Sequence, residues 1–356
     1  MITGGIELKT ELDALVEAGY LICAKHPSLP LTIYNYSQKT QYEKYWNELT
    51  LACRGLVVDP NGQIIARPFA KFFNSSEVEG KIPNEPFRVY EKMDGSLGIF
   101  FWYEGYPVFA SRGSFSSDQA IKGAKILKEK YNVNELKQFH TYLFEIIYPE
   151  NRIVVDYGDT EDVVMLGAIH TKSGEEIERH VLEKDYKDIF NLVIDYNITE
   201  SWNHLMSLNE PNKEGYVILF KNGFRMKVKH EEYVRLHRII TQVSNIDIWK
   251  CLKYGDSFDE FLDRVPDEFY NWVREVETDL KSKHLEIINT AFGMYNKLVY
   301  EIEFTSQKEY AEAISKLPNK SLLFSIHGNK LNRLNAEVWD MIRPTWAKPF
   351  MKNLIE

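Results

Sequence analysis

The segment of residues 91–98, Glu-Lys-Met-Asp-Gly-Ser-Leu-Gly, lies between two apolar stretches that have the composition of β-strands, residues 87–90 and 99–103. Asp94-Gly95-Ser96 has the composition of a tight turn, so the sequence predicts two strands of one sheet joined here. A lysine at such a strand end can project its amine into a cleft, where desolvation or nearby cations make it a nucleophile. Taken alone, Lys92 is more often a solvated lysine beside a hairpin, so this interpretation depends on the residues that accompany it.

Two Asn-Gly pairs, Asn61-Gly62 and Asn222-Gly223, each separate two apolar runs and predict β-hairpins. Further strands are predicted at residues 20–24, 31–36, 107–111, 141–147, 153–157 and 163–170. Helices are predicted at residues 7–19, 41–49, 117–131, 182–190 and 199–208. Strands joined by hairpins and interrupted by helices predict an α+β fold with an antiparallel sheet.

The character of the sequence changes after about residue 233. The hairpin signals disappear, and apolar residues such as Phe269, Val273 and Leu280 recur at helical spacing. Ser306 and Glu309 form the pattern of a helix capping box. The sequence therefore predicts an α+β domain over residues 1–240 and an all-α domain over residues 241–356.

The overall charge limits the kind of partner that the chain can bind. A formal net charge of −9 argues against nonspecific wrapping of a nucleic acid, because that binding depends on Lys and Arg neutralising phosphates. A nucleic-acid partner would have to bind a local basic patch. Cys23, Cys53 and Cys251 lie far apart in sequence, which predicts a reducing compartment and no zinc site. With no signal-peptide pattern and no membrane-spanning apolar run, we expect a cytoplasmic protein without a membrane partner.

Two charged patterns on predicted strands suggest a binding site. Lys227 and Lys229 alternate, so both amines point to one face of the strand while Val228 points to the other. Two adjacent like charges are unfavourable unless an anion such as a polyphosphate lies between them, although a solvated strand face is the commoner explanation for such a pair standing alone. Glu145 lies within an apolar run, where burial is costly without a partner. It is either an outward-facing residue or a ligand for a ribose hydroxyl or a divalent cation.

The order of these residues is similar to motifs I, III, IV and V of the covalent nucleotidyltransferases, which include polynucleotide ligases and mRNA capping enzymes. The matching segments are Lys92-x-Asp94-Gly95-Ser96, Phe144-Glu145, Glu214-Gly215-Tyr216-Val217 and Lys227-x-Lys229. Within that group the chain more closely resembles the phage-type RNA ligase 1 family. The additional matches are Cys53-Arg54-Gly55, Lys71-Phe72-Phe73-Asn74, Gly113-Ser114, and Tyr233 followed by His237. The resemblance covers about residues 30–240, and helices after the second hairpin fit this family, whereas DNA ligases and capping enzymes have an OB-fold there.

The resemblance implies an ATP-dependent RNA ligase with an antiparallel-sheet nucleotidyltransferase domain. Lys92 would attack the α-phosphate of ATP to form lysyl-AMP, and AMP would pass to an RNA 5′-phosphate before a 3′-hydroxyl seals the strand. Lys227 and Lys229 would neutralise the α-phosphate and the departing charge. Glu214 would bind the catalytic metal and Glu145 the ribose or a metal, with Mg²⁺ as the metal and Mn²⁺ as its substitute.

The resemblance also implies a wider set of nucleotide-binding residues. These are Tyr34, Arg54, Lys71, Phe73, Asp94, Gly95, Arg112, Glu145, Glu214, Gly215, Lys227, Lys229 and Tyr233. Arg112 stands where the family usually has lysine, which keeps the charge but changes the shape of the group. The basic run of Lys221, Arg225, Lys227, Lys229, Arg235 and Arg238 is expected to supply the local patch for RNA.

The expected partners follow from this reaction. They are RNA with 5′-phosphate and 3′-hydroxyl ends, including broken tRNA, and an end-healing kinase or phosphatase acting in RNA repair. The helical domain is expected to select the RNA. Two alternatives are a GTP-dependent capping-type guanylyltransferase, which nucleotide preference would distinguish, and a catalytically silent RNA-binding module. The intact set of Lys92, Glu145, Glu214, Lys227 and Lys229 argues against the silent module.

Overall fold

The computed structural model describes residues 2–198, 202–241, 243–262, 265 and 269–345. The chain separates into two compact units, Met1–His237 and Arg238–Glu356. The boundary between them falls three residues before the predicted boundary at residue 240.

The first sheet of the N-terminal unit is built from the hairpin-rich start of the chain. Its antiparallel strands follow the order β1 (Leu21–Lys25), β2 (Thr32–Tyr36), β3 (Arg54–Val58) and β4 (Ile64–Ala66). Helix α1 (Ile6–Glu17) contributes Leu8 and Leu12 to the core of this sheet. The single helix predicted at residues 41–49 is two, α2 (Gln38–Glu43) and α3 (Glu48–Ala52), because Lys44 is left-handed with φ 58° and Asn47 caps α3.

The second sheet has the strand order β10-β9-β7-β8. Its antiparallel strands are β7 (Ser96–Tyr103), β8 (Tyr106–Ser111), β9 (His140–Ile147) and β10 (Asp162–His170). Helix α4 (Asp118–Lys130) begins at its N-cap Ser117, as predicted, and packs Ile126 and Leu127 against Phe100 and Phe144 of the sheet. Helix α5 (Arg179–Tyr186) follows β10.

The third sheet carries the residues of greatest chemical interest. Its strand order is β5 (Phe73–Asn74), β12 (Arg225–Lys229), β11 (Gly215–Phe220) and β6 (Phe87–Lys92), with only β5 and β12 pairing in parallel among the described strands of this sheet. One face buries Val89, Ile218 and Val228 in a core that includes Leu205 of α6 (Trp202–Ser207). The predicted alternation is therefore confirmed, since Lys227 and Lys229 lie on the face opposite Val228.

The predicted hairpin at Asp94-Gly95-Ser96 is wrong. Strand β6 belongs to the third sheet and β7 to the second, so this turn joins two sheets. The physical reason is a close approach to β9, because a Cβ at Gly95 would lie 2.5 Å from the carbonyl oxygen of Ile146. The strand predicted at residues 153–157 is also absent. There the N–H groups of Val154 and Val155 donate to the Asp94 carboxylate at 2.8 Å, and no strand ladder forms.

The regular secondary structure described in the C-terminal unit is all helical. Helix α7 (Glu231–Thr241) contains the boundary between the units. It is followed by α8 (Asn245–Tyr254), α9 (Phe258–Leu262), α10 (Tyr270–Glu301), α11 (Gln307–Ile314), α12 (Lys320–His327) and α13 (Leu331–Met341). Ser306 caps α11 as predicted, while the Glu309 carboxylate accepts from the Thr305 N–H and so does not complete a capping box. Within the described ranges, no helix is long and apolar enough to cross a membrane.

Candidate active site

The register of the third sheet aligns three of the predicted site residues in one row. Gly215 on β11 pairs with Lys92 at the end of β6 and with Lys229 at the end of β12. The two lysines therefore flank the same glycine although they are far apart in sequence. Lys227, two residues earlier on β12, pairs with Val217 and lies on the same face.

Glu214 joins the two aligned lysines through its carboxylate. Its Oε2 lies 2.7 Å from Lys92 Nζ, and its Oε1 lies 3.0 Å from Lys229 Nζ. Burial by itself would raise the pKa of the Glu214 carboxyl, but the charges of Lys92 and Lys229 outweigh burial and hold the pKa below its ordinary value. Glu214 is thus a buried anion that orients both amines.

Glu145 on β9 is the second acidic residue of the site. Its Oε1 accepts a hydrogen bond from the Gly95 N–H at 3.0 Å, which places it beside the segment after Lys92. Burial raises the pKa of the Glu145 carboxyl to about 7, opposed by the charge of Lys92 and reinforced by that of Glu214. The site therefore holds two acidic side chains in different environments, with the pKa of Glu214 lowered by two lysines and the pKa of Glu145 raised by burial.

The Glu145→Gln variant is expected to be more stable than the wild type, by a difference that grows as the pH rises. Unfolding lowers the pKa of Glu145 from about 7 to 4.5, so the wild type loses stability between these pH values. Glutamine is neutral and can still accept from the Gly95 N–H. We expect little difference in urea unfolding at pH 4.5 and a gain of about 1–3 kcal/mol at pH 8. A difference that does not vary with pH would contradict burial of the Glu145 charge as its cause.

Asp94 forms hydrogen bonds that hold the segment following Lys92 in place. Besides the two N–H groups of residues 154 and 155, its carboxylate accepts from the Tyr233 hydroxyl at 2.8 Å, and its own N–H donates to the Tyr157 hydroxyl at 2.9 Å. Asp94 and Tyr233 are both buried, and Lys229 Nζ lies 5.1 Å from the centre of the Tyr233 ring. These hydrogen bonds fix the segment next to Lys92, and contact of Asp94 or Tyr233 with a nucleotide stays a prediction.

Lys71 is surrounded by aromatic rings. Its Nζ lies 5.3 Å from the ring centre of Tyr36, 5.6 Å from that of Trp46 and 5.5 Å from that of Phe73. The Gln41 side chain accepts from the same amine at 3.4 Å. Such rings favour a cation through their negative faces. Sequence reasoning identified Lys71 and Phe73 but missed Tyr36, Trp46 and Gln41, which precede β3 and are brought to Lys71 only by the fold.

Tyr34 does not lie in this aromatic group. Its side chain is fully buried, and its hydroxyl donates to Asp13 of α1 at 2.7 Å. Helix α1 covers this part of β2, whereas Tyr36 lies at the strand end beside Lys71. The side chain of this strand that lies beside Lys71 is therefore Tyr36, and contact of Tyr34 with a nucleotide stays a prediction.

Two arginines approach the site beside a tightly packed glycine. Gly55 has φ +108°, and a Cβ there would lie 2.2 Å from Ile99 and 3.1 Å from the Arg112 carbonyl oxygen. The glycine lets β3 pass against the end of β8, which brings Arg54 and Arg112 to the same region. Arg112 is exposed, and its guanidinium lies 5.5 Å from the centre of the Tyr36 ring. Arg54 is close enough to Glu145 to oppose the rise in its pKa.

Two members of the predicted basic run are compensated by acidic neighbours. Arg225 donates to Glu176 at 2.7 Å, and Arg235 donates to Glu232 at 2.6 Å. The side chain of Arg238 lies outside the described residues. Lys227 and Lys229 of that run face the site, together with Arg54, Lys71 and Lys92 from other segments.

Comparison with known proteins identifies the family. A family model described as RNA ligase matches residues 52–233, just over half of the chain. The chain belongs to the RNA ligase family. The matched region is of the phage T4 type and includes each of the sheet residues described above from Arg54 to Tyr233.

Relatives with this family name come from phage, bacterial and viral sources. An RNA ligase of Rhodothermus phage RM378 is 21% identical over 81% of this chain and 79% of its own length. A Thermovibrio ammonificans protein named provisionally as an RNA ligase is 27% identical over 69% of this chain and 66% of its own length. A protein of Autographa californica nuclear polyhedrosis virus, named provisionally as a bifunctional polynucleotide kinase/RNA ligase, is 22% identical over 86% of this chain and 47% of its own length.

The solved structures with detectable similarity include an RNA ligase of Naegleria gruberi. A variant with ATP and Mn gives a TM-score of 0.38 at 16% identity, covering 46% of this chain and 54% of that chain. The same ligase with pyrophosphate gives a TM-score of 0.41 at 15% identity, covering 48% of this chain and 57% of that chain. The chain thus spans about half the length of these solved ligases.

Proposed function

We propose that the protein is an ATP-dependent RNA ligase that joins 5′-phosphate and 3′-hydroxyl RNA ends through a covalent adenylate on Lys92. The observation that carries this proposal is the row formed by Lys92, Gly215 and Lys229, with Glu214 bonded to both amines. A nucleophilic amine beside two further cations suits attack on a phosphate, because negative charge develops on the phosphate oxygens during transfer.

The first step forms a bond between Lys92 Nζ and the α-phosphorus of ATP and breaks the bond to pyrophosphate. For this attack the Lys92 ammonium loses a proton to solvent water and leaves its ion pair with Glu214. Lys227 and Lys229 face the same side of the sheet and would stabilise the charge on the α-phosphate and on pyrophosphate. Arg54 and Lys71 would bind the nucleotide from the neighbouring elements.

The next two steps regenerate the enzyme. The 5′-phosphate of RNA attacks the lysyl-AMP, so that the P–N bond to Lys92 breaks and an RNA-adenylate forms. The 3′-hydroxyl of a second end then attacks the activated 5′-phosphate, expels AMP and leaves a phosphodiester. Each step depends more on positioning of the reacting groups and neutralisation of negative charge than on acid–base chemistry. A site rich in cations supplies that neutralisation.

The acidic residues fit a divalent cation. Within the described part of the chain, no three His, Cys, Asp or Glu side chains cluster as a ready-made metal site, so phosphate and water oxygens would complete the coordination of Mg²⁺ or Mn²⁺. Glu145 and Glu214 would hold the ion, and a bound cation would favour the charged form of Glu145, which burial opposes. When bound, the metal supplies neutralisation of the phosphate charges.

We assign the nucleotidyltransferase reaction to residues 1–240 and selection of the RNA to the helical residues 241–356. Broken tRNA is the proposed substrate class, and an end-healing kinase or phosphatase is the proposed partner. The relative whose name joins a polynucleotide kinase to an RNA ligase supports a link to end healing.

The proposal is tested with an RNA oligonucleotide that carries a 5′-phosphate and a 3′-hydroxyl. Incubation with Mg²⁺ and ATP is expected to give circular or joined RNA on a denaturing gel, and RNA with a 5′-hydroxyl is the matched control that should stay unchanged. Nucleotide transfer with GTP alone would support a capping-type guanylyltransferase. RNA binding without transfer from either nucleotide would support a silent binding module.

A further inference from the structure

Cations and aromatic rings alternate in a stack beside the proposed nucleotide site. The Arg54 guanidinium lies 5.6 Å from the centre of the Phe72 ring, and the Arg225 guanidinium lies 5.8 Å from the same ring. The Arg225 guanidinium also lies 4.1 Å from the centre of the Phe69 ring. We call these four residues the Arg225 stack.

The far end of the stack is fixed by a carboxylate and by a glycine. Arg225 Nη2 lies 2.7 Å from both oxygens of Glu176, and the Arg225 side chain is 12% exposed. Glu176 follows β10 and forms a bridge to Ile169 of that strand. A Cβ at Gly167 would lie 2.8 Å from the Phe69 ring, so the glycine makes room for the ring. Arg225 is therefore held between a ring and a carboxylate that both rest on β10.

The stack joins the three elements that carry the proposed phosphate-binding cations. Arg54 is the first residue of β3, and Phe72 stands between Lys71 and Phe73. Arg225 begins β12 and shares its outer face with Lys227 and Lys229. Cations brought together from separate elements repel one another. Their spacing therefore depends on the groups between them being neutral or paired with an opposite charge. Glu176 compensates the charge of Arg225, which makes Arg225 a poor phosphate ligand and a suitable spacer.

We propose that Arg225 is a positioning residue for nucleotide transfer, which fixes Lys227 and Lys229 relative to Arg54 and Lys71 through the Arg225 stack. This inference rests on the proposed ligase function. The role needs a planar guanidinium, because only that group can stack on two rings while donating to a carboxylate; a lysine ammonium is compact and strongly hydrated. The conservative Arg225→Lys change therefore keeps the charge and removes the positioning.

The test compares Arg225→Lys with Arg88→Lys in single-turnover formation of the lysyl-AMP adduct. Arg88 is the matched control, since it lies on β6 four residues before Lys92 and bonds Asp195 at 2.8 Å, but it is half exposed and outside the stack. We expect Arg225→Lys to lower the rate at saturating ATP about 10- to 100-fold, the range for sub-ångström to ångström misplacement. Arg88→Lys should stay within about twofold, as for a surface pair.

Two further variants keep the test decisive. Phe72→Leu preserves apolar volume without a π face, and it should lower the same rate of adduct formation. The double variant with Arg225→Lys should lose less rate than the product of the two single effects, because both changes break one stack. Unchanged saturated rates in Arg225→Lys and Phe72→Leu, with urea midpoints equal to wild type, would overturn the proposal. If Arg225→Lys does not fold, the rate of adduct formation in Phe72→Leu alone tests the proposal.

The same variants separate this inference from the ligase function. If the wild type forms no adduct, the proposed ligase function fails. Calorimetric titration with ATP in a Lys92→Ala background then measures how the Arg225 stack affects the affinity for ATP. If ATP binds at least fivefold more weakly to Arg225→Lys than to Arg88→Lys, the result supports positioning of the cations by the stack. A fivefold change lies at the lower end of typical coupling effects. Equal affinities in that background overturn it.

Discussion

Replacement of Lys92 by alanine is expected to abolish covalent labelling by α-³²P-ATP in the presence of Mg²⁺. No other group can form the P–N bond in the proposed mechanism, so the rate of adduct formation should fall by at least about 10⁴-fold, as when a catalytic nucleophile is removed. The fold should survive, because Glu214 keeps its ion pair with Lys229 at 3.0 Å. The measurement is labelled protein on a denaturing gel, with α-³²P-GTP in parallel.

The Lys92→Arg variant separates nucleophilicity from charge. Arginine preserves a cation beside Glu214, but its guanidinium stays protonated and does not attack phosphorus. We therefore expect no label in this variant either, together with retained ATP binding. A wild-type adduct should be hydrolysed by acid and survive alkali, as a phosphoramidate does. Label that persists in Lys92→Arg would identify another residue as the nucleophile.

Replacement of Gly215 by alanine is expected to destabilise the N-terminal unit and to remove activity together. Gly215 has φ +143°, and a Cβ there would lie 2.0 Å from the Val228 carbonyl oxygen and 2.8 Å from the Lys229 Cα. The clash falls between the strands that align Lys92 with Lys229. We expect a loss of about 3 kcal/mol or more in the free energy of unfolding, from strain and overpacking combined.

Gly223 offers a matched control on the same hairpin. It also has a left-handed backbone, φ +86°, but nothing lies within 4 Å of a Cβ built there. Gly223→Ala should therefore cost only the backbone strain, about 1–2 kcal/mol, and leave adduct formation unchanged. Urea unfolding of both variants, followed by adduct formation at a temperature where each is folded, checks the prediction. Equal losses would show that backbone strain, and not the contact with β12, limits this position.

The sequence predicted most local elements of this chain. The two Asn-Gly turns form the predicted hairpins, and α4 begins at Ser117 as expected. These signals are local because turn and cap residues act through their own backbone. The order of the motifs also predicted the family, and the alternation of Lys227 and Lys229 predicted their common face.

What the sequence did not predict concerns contacts between distant segments. The turn after Lys92 has the composition of a hairpin, yet it crosses between two sheets because Gly95 packs on β9. Tyr34 and Tyr36 have the same local pattern, and only the position of α1 decides that Tyr36 lies beside Lys71. No local signal distinguishes these outcomes.

The sequence by itself determined the type of the main elements, the chemical groups available and the family, since each depends on residue type and order along the chain. Tertiary structure decided which strands became neighbours, and with them the row of Lys92, Gly215 and Lys229 around Glu214. It also decided that Arg225 lies near the rings of Phe69 and Phe72, about 150 residues away in the chain. Strand pairing and side-chain packing are properties of the whole fold, because they depend on which distant segments bury their apolar faces together.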